Sequence, residues 1–351
     1  MDGMAVLDSS PDAHSVDQVA PVSSAGPAGH HLRPDGHPDA SPVTWPGPAV
    51  PRLPRRPRQQ TVRNAISCSG TGLHSGRKIN LTLAPAPAGS GVRFRRTDLG
   101  TEIPARFDQV VDTRLSTVVG CGTQARVATI EHLMAALYAC GIDNLLVEID
   151  GPEVPVLDGS AAPFVFLIDC AGREEQAAPR PVIEVLRTVR VQDGEAFAEL
   201  RPTGRAGLDL AMSIDFPARA IGRQSLRLSL DEPRFRSELA SCRTFTMLGE
   251  IEALHRAGLA RGGSLDNAVV VDDDKVLNPA GLLCPDEFVR HKMLDAVGDL
   301  SLSGAAIDGL FVGHRSGHGL NNRLLRALMA DTASWRMAQL SRPATRESLA
   351  A

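Results

Sequence analysis

Proline divides this chain into a stretch that cannot pack and a body that can. Eleven of the 25 prolines fall within the first 58 residues, interleaved with Ala, Gly, Ser, Asp and His and with few large aliphatics. Such a segment buries too little apolar surface to offset the entropy of ordering it, so residues 1–58 are expected to form a disordered leader. Four of the ten histidines, His14, His30, His31 and His37, lie in it. With no scaffold to fix their geometry, they are not expected to build a metal site.

Past the leader, apolar segments alternate with glycine-marked turns. Residues 61–67 and 78–84 have the composition of strands, with Gly70, Gly72 and Gly76 between them. An amphipathic helix is expected over 127–140, stopped by Gly141, then a buried strand over 144–149 and a second helix over 161–170. Residues 171–182 are charged, alanine-rich and carry two prolines, and read as a linker. Strands are then expected at 182–192, 196–201 and 207–215, and helices at 231–241 and 247–258. A short strand at 268–272 precedes a helix at 287–302, a strand at 307–313 and a last helix at 320–329. This is an α+β order in two halves of similar content: a first domain over 59–175, a second over 180–335 and a tail over 336–351.

Composition removes several classes of function. A formal net charge of -4 and only 4% aromatic residues argue against a nucleic-acid partner. The six cysteines, Cys68, Cys121, Cys140, Cys170, Cys242 and Cys284, show no C-x-x-C pair or framework spacing, as expected for reduced thiols in the cytoplasm. No run approaches the roughly 18 apolar residues of a membrane helix. Arg55-Arg56 is followed by Pro57, Arg58, Gln59 and Gln60 instead of the apolar stretch of an export signal.

Three segments carry residues suited to chemistry. In the helix expected over 287–302, His291, Asp295 and Asp299 recur one turn apart and share a face, while Met293, Leu294 and Val297 lie largely elsewhere. Imidazole and carboxylate one turn apart can reach one metal ion, though a solvated His–Asp pair has the same spacing. Glu131-His132 places a base beside a ligand, as zinc hydrolases do, but a helix-start glutamate favoured by the macrodipole reads the same way. In Gly313-His314-Arg315-Ser316-Gly317-His318-Gly319, glycines after an apolar strand allow close backbone approach to a ligand. Either His318 or His314 is then a candidate general acid, and a plain surface turn is the competing reading. The loop Gly70–Gly76 lacks the ending of a nucleotide P-loop and is expected to be a hairpin turn.

Taken together, GTGLHSGRK (70–78), TIEHLMAAL (129–137), GIDNLLVEIDGPEVPVLDGSAAPF (141–164), SCRTF (241–245), RGGSLDNAVVVDD (261–273), DEFVRHKMLDAVGDL (286–300) and SGHGLNN (316–322) resemble one family. It is the UDP-3-O-acyl-N-acetylglucosamine deacetylases of lipid A synthesis. The resemblance implies two similar α+β domains, each a small sheet layer packed on a helix pair, face to face around a Zn2+ site. It implies His132, His291 and Asp295 as zinc ligands, Glu131 as general base, His318 as general acid with Asp299 orienting it, and Thr244 at the oxyanion. Phe245 against the sugar, Lys292 toward the diphosphate, and Arg315 and Leu73 are the substrate contacts it implies. The implied reaction is hydrolysis of an N-acetyl group of a UDP-acyl-sugar by a cytoplasmic monomer. Two other outcomes are a zinc amidase for another N-acyl sugar and a family member that has lost catalysis. Two positions depart from the family pattern. Arg114 stands where an apolar residue is expected near an acyl passage, and Ala196 where some members carry lysine.

Overall fold

In a computed structural model, which describes residues 57–122 and 124–339, five sheets of two to seven strands combine with helices, two of which are almost wholly buried. Nearly all of the expected leader, and all of the chain after 339, lies outside the described residues. All the described residues belong to one compact unit.

The N-terminal half builds a five-stranded sheet in the order Ile66–Thr71, Lys78–Pro85, Leu145–Ile149, Val92–Arg96, Thr101–Pro104. Along Lys78–Pro85 burial alternates, with Ile79, Leu81 and Leu83 fully buried, the two-residue period of a half-buried strand. A three-stranded sheet of Val110–Asp112, Val118–Cys121 and Ala125–Val127 leads into helix α1 (Glu131–Cys140), and α2 (Ala162–Ala171) packs against α1.

The C-terminal half holds a seven-stranded sheet whose central strand is Ala306–His314. That strand pairs in parallel with Leu208–Asp215 and Pro181–Val185 and antiparallel with Ala196–Arg201. Four more helices follow in chain order: α3 (Glu232–Arg234, continued by a wider turn over Phe235–Leu239), α4 (Leu248–Arg256), α5 (Glu287–Ser301) and α6 (His318–Ala330).

Five local expectations change, one of them the strand expected at 182–192, which is two, Pro181–Val185 and Val189–Asp193. The helix expected from 127 starts at Glu131, because Val127 belongs to a strand and Thr129 takes a left-handed backbone (φ 56°) that no α-helix accommodates. The expected linker is a strand, Arg173–Pro179, paired antiparallel with Arg58–Val62. Its charges and alanines follow from exposure, since few of its side chains face the core. The strand expected at 61–67 is two, broken between Val62 and Ile66. The expected tail begins inside a strand, Trp335–Gln339, which pairs with Pro181–Val185.

Helix α5 is the spine of the body. Met293, Leu294 and Val297 are fully buried, as their positions imply, yet so nearly are the polar residues on its other face. It crosses the start of α1 at Gly298, where a Cβ would stand 2.1 Å from the Glu131 carbonyl oxygen and 2.8 Å from its carbon. Backbone thus meets backbone, and no side chain can give way. Gly298→Ala is expected to cost about 1–3 kcal/mol through overpacking and to push Glu131 and His132 away from α5. Thermal melting and metal content should fall together. A variant that melts at the wild-type temperature with full metal would show that the crossing has slack.

Candidate active site

The site lies where the start of α1 meets the middle of α5. The left-handed turn at Thr129 sets the first residue of α1, so the helix opens on Glu131 and His132, both nearly buried. From α5, His291 and Asp295 face them, as the one-turn spacing predicts.

His132, His291 and Asp295 each offer one ligand atom, all within 4.8 Å of one another. Asp295 Oδ1 lies 3.5 Å from His132 Nε2 and 3.4 Å from His291 Nε2. It is buried and makes no hydrogen bond, an expensive state for a carboxylate oxygen unless something else binds it. The other oxygen, Oδ2, accepts from Lys292 Nζ at 3.2 Å. His291 Nδ1–H donates to the Cys242 carbonyl at 3.0 Å, which fixes the ring and turns the Nε2 lone pair toward the cluster. Burial pushes the His291 imidazole down to about 4, so it is neutral and able to ligate. Burial pushes His132 down too, but the Asp295 carboxylate outweighs it and leaves it raised. Burial would raise Asp295, but His291 and Lys292, and His132 beside them, hold it well below the usual carboxylate range. Two neutralisable imidazoles and one ionised carboxylate around an orphaned oxygen suit a divalent metal.

The segment 242–245 is clamped from behind. The fully buried Glu287 accepts from Arg243 Nε at 2.9 Å and from the Arg243 backbone N–H at 3.1 Å. That clamp delivers the Cys242 carbonyl to His291 and sets Thr244 on the cleft wall. Phe245 turns its ring edge-on to His291, with centroids 6.0 Å apart.

Two titratable groups, Glu131 and His318, flank the cluster. Burial raises the Glu131 carboxyl, with His318 and His132 opposing the shift. His318, the first residue of α6, places Nδ1 2.9 Å from Asp299 Oδ2. Burial alone would lower this imidazole, but the Asp299 carboxylate outweighs it and carries it up to about 9. The other histidine of that segment, His314, ends the preceding strand, where its Nδ1 lies 2.8 Å from the Ser213 hydroxyl.

A cleft of about 580 Å³ opens onto the cluster. Of the residues expected to contact substrate, Leu73, Phe245 and Lys292 line it, and Arg114 stands on its wall, ion-paired to Asp112. Arg315 is not on that wall; its guanidinium pairs with Glu195 at 3.0 Å. The loop Gly70–Gly76 is the expected hairpin turn, between Ile66–Thr71 and Lys78–Pro85. It also brings His74 to the cleft, with neither ring nitrogen hydrogen-bonded.

The family model described as UDP-3-O-acyl N-acetylglycosamine deacetylase matches residues 59–330. The chain belongs to this family. The UDP-3-O-acyl-N-acetylglucosamine deacetylase of Phenylobacterium zucineum (strain HLK1) is 51% identical over 282 residues, which cover 80% of this chain and 96% of that protein. The protein of the same name from Anaeromyxobacter sp. (strain Fw109-5) is 50% identical over 283 residues, covering 81% of this chain and 92% of its own. The family match thus takes in both halves and every residue of the cluster. Sequence reasoning gave no role to several supports of this deacetylase-family site: Thr117, Asn321, Gly298 and the Arg243–Glu287 clamp. Each acts through a contact distant in sequence, which no local spacing reveals.

Proposed function

We propose that this chain removes the acetyl group of a UDP-3-O-(3-hydroxyacyl)-N-acetylglucosamine, giving UDP-3-O-acyl-glucosamine and acetate, the committed step of lipid A synthesis. The observation that carries the reading is the buried His132–His291–Asp295 cluster set between Glu131 and His318. Zinc is the metal it would hold, through those three residues. When bound, zinc would polarise the acetyl carbonyl and lower the pKa of a water toward about 7.

Glu131, buried at the start of α1, takes the proton from the attacking water. Thr244 supplies a hydroxyl to the developing oxyanion from the cleft wall. His318, kept charged by Asp299, gives its proton to the amine as the amide bond breaks. Phe245 and Leu73 offer apolar surface, and Lys292 a charge, to the sugar nucleotide. Arg315, paired with Glu195 off the cleft wall, is the further basic group the family pattern offers to the substrate. Residues 59–175 and 180–335 act as two α+β domains of a cytoplasmic monomer. Among the described residues no helix is long and apolar enough to cross a membrane.

The direct test is metal analysis joined to an acetate-release assay on UDP-N-acetylglucosamine with and without the 3-O-acyl chain. One zinc per chain and strong preference for the acylated substrate are expected. Equal rates on both would move the reading to an amidase for another N-acyl sugar. No turnover by zinc-loaded protein would make it a non-catalytic member.

The pH profile should be bell-shaped. His318 must be protonated to act, so the rate falls as pH rises through its pKa, which stands at about 9 before any metal charge is added. A nearby dication disfavours the imidazolium, so the falling limb belongs at or below about pH 9. His318→Ala should lower the rate roughly 100- to 10,000-fold and flatten that limb. An unchanged limb would assign the acid elsewhere, with His314 the next residue to test.

A further inference from the structure

We propose that Thr117 is the positioning residue that holds both proton carriers, gripping Glu131 with its backbone and His318, through Asp299, with its hydroxyl. The proposal rests on the reading of Glu131 as base and His318 as acid. Thr117 lies just before the strand Val118–Cys121 and is almost completely buried. Its N–H donates to Glu131 Oε2 at 3.1 Å. Its hydroxyl lies 2.5 Å from Asp299 Oδ1. The other oxygen of Asp299, Oδ2, receives His318 Nδ1 at 2.9 Å and Asn321 Nδ2 at 2.8 Å.

An ionised carboxylate only accepts, so the proton between Thr117 and Asp299 belongs to the threonine, and the bond is charge-assisted. A carboxylate held at one oxygen can still swivel about its own axis. Donors at both oxygens stop it, and His318 Nδ1 then meets a fixed lone pair that sets the plane of the imidazole. The opposite nitrogen, Nε2, is aimed by the same constraint. The two grips also differ in kind. Any residue at 117 other than proline keeps the N–H to Glu131, whereas only serine or threonine keeps the hydroxyl. Side-chain substitution therefore loosens the acid and spares the base.

The experiment compares Thr117→Val, Thr117→Ser and His318→Ala in the full-length zinc-loaded protein. Each is read by zinc content, kcat and KM, and the downfield proton NMR signal of His318 Nδ1–H, identified by its loss in His318→Ala. Thr117→Val should keep zinc and KM, lose on the order of 10- to 100-fold in kcat as buried supporting partners typically do, and shift the downfield signal. Thr117→Ser should restore both. A Thr117→Val protein with kcat within about twofold of wild type and an unmoved signal overturns the proposal. So does a Thr117→Ser protein as impaired as Thr117→Val. If the valine variant fails to fold, the serine variant decides: near-normal kcat and signal support the role, and a large loss refutes it. Near-normal turnover by His318→Ala sinks the acid assignment itself, which is a different failure from a silent Thr117→Val beside an inactive His318→Ala.

Discussion

His291→Ala is expected to empty the metal site and take activity with it. His291 is the member of the cluster with the most complete support: its Nδ1 is fixed by the Cys242 carbonyl, its ring by Phe245, and its Nε2 faces Asp295 Oδ1 at 3.4 Å. Removing it leaves two ligand atoms and an Asp295 carboxylate still biased toward His132. Metal polarisation is worth several kcal/mol at the transition state, and about 1.4 kcal/mol is a decade of rate, so turnover should drop roughly a thousand-fold or more. Metal analysis after dialysis should find the variant nearly free of zinc while His318→Ala keeps a full equivalent. A His291→Ala protein that retained both zinc and rate would place the metal elsewhere.

Glu131→Gln should separate activity from stability. The loss expected is roughly 100- to 10,000-fold in kcat, the range for a general acid–base group, with zinc retained because the three ligand residues are untouched. Its effect on the fold should run the other way. Burial raises the Glu131 pKa, which means that the fold disfavours the charged form relative to the unfolded chain. Above the ordinary glutamate pKa that difference counts against stability, and a neutral amide of the same shape removes it. Melting at neutral pH should therefore stay level or rise. A large drop in melting temperature with the drop in rate would make Glu131 a structural group.

Residues whose partners lie one helical turn away were legible from the chain alone. The three positions His291, Asp295 and Asp299 share a face because 3.6 residues make a turn, and nothing in the tertiary structure needed to be known. Glu131-His132 was equally visible, but the helix was expected to begin four residues earlier, since the left-handed Thr129 that follows the strand Ala125–Val127 has no propensity signal. The edge strand Arg173–Pro179 was hidden for a related reason. Its sequence answers to solvent on most of its length, and only its pairing with Arg58–Val62 makes it a strand. Spacing alone left His318 and His314 equal candidates for the acid; the contact of His318 with Asp299 is made across a helix pair and leaves no local mark. Thr117 was beyond reach of any local pattern, because both of its partners are supplied by other elements.

The threonine and its aspartate stand 182 positions apart in the chain. Neither half of the body, then, carries a working fragment of the proposed chemistry: one brings Glu131 and His132, the other His291, Asp295 and His318. Cutting the chain at Arg180, the single residue between the strands Arg173–Pro179 and Pro181–Val185, would leave two inert pieces, each with its share of donors and no centre. Turnover would return only on their reassociation, which makes acetate release a direct count of correctly mated halves. An ion shared between them would behave as a clasp, strongest when the joint is closed and the first thing lost when it gapes.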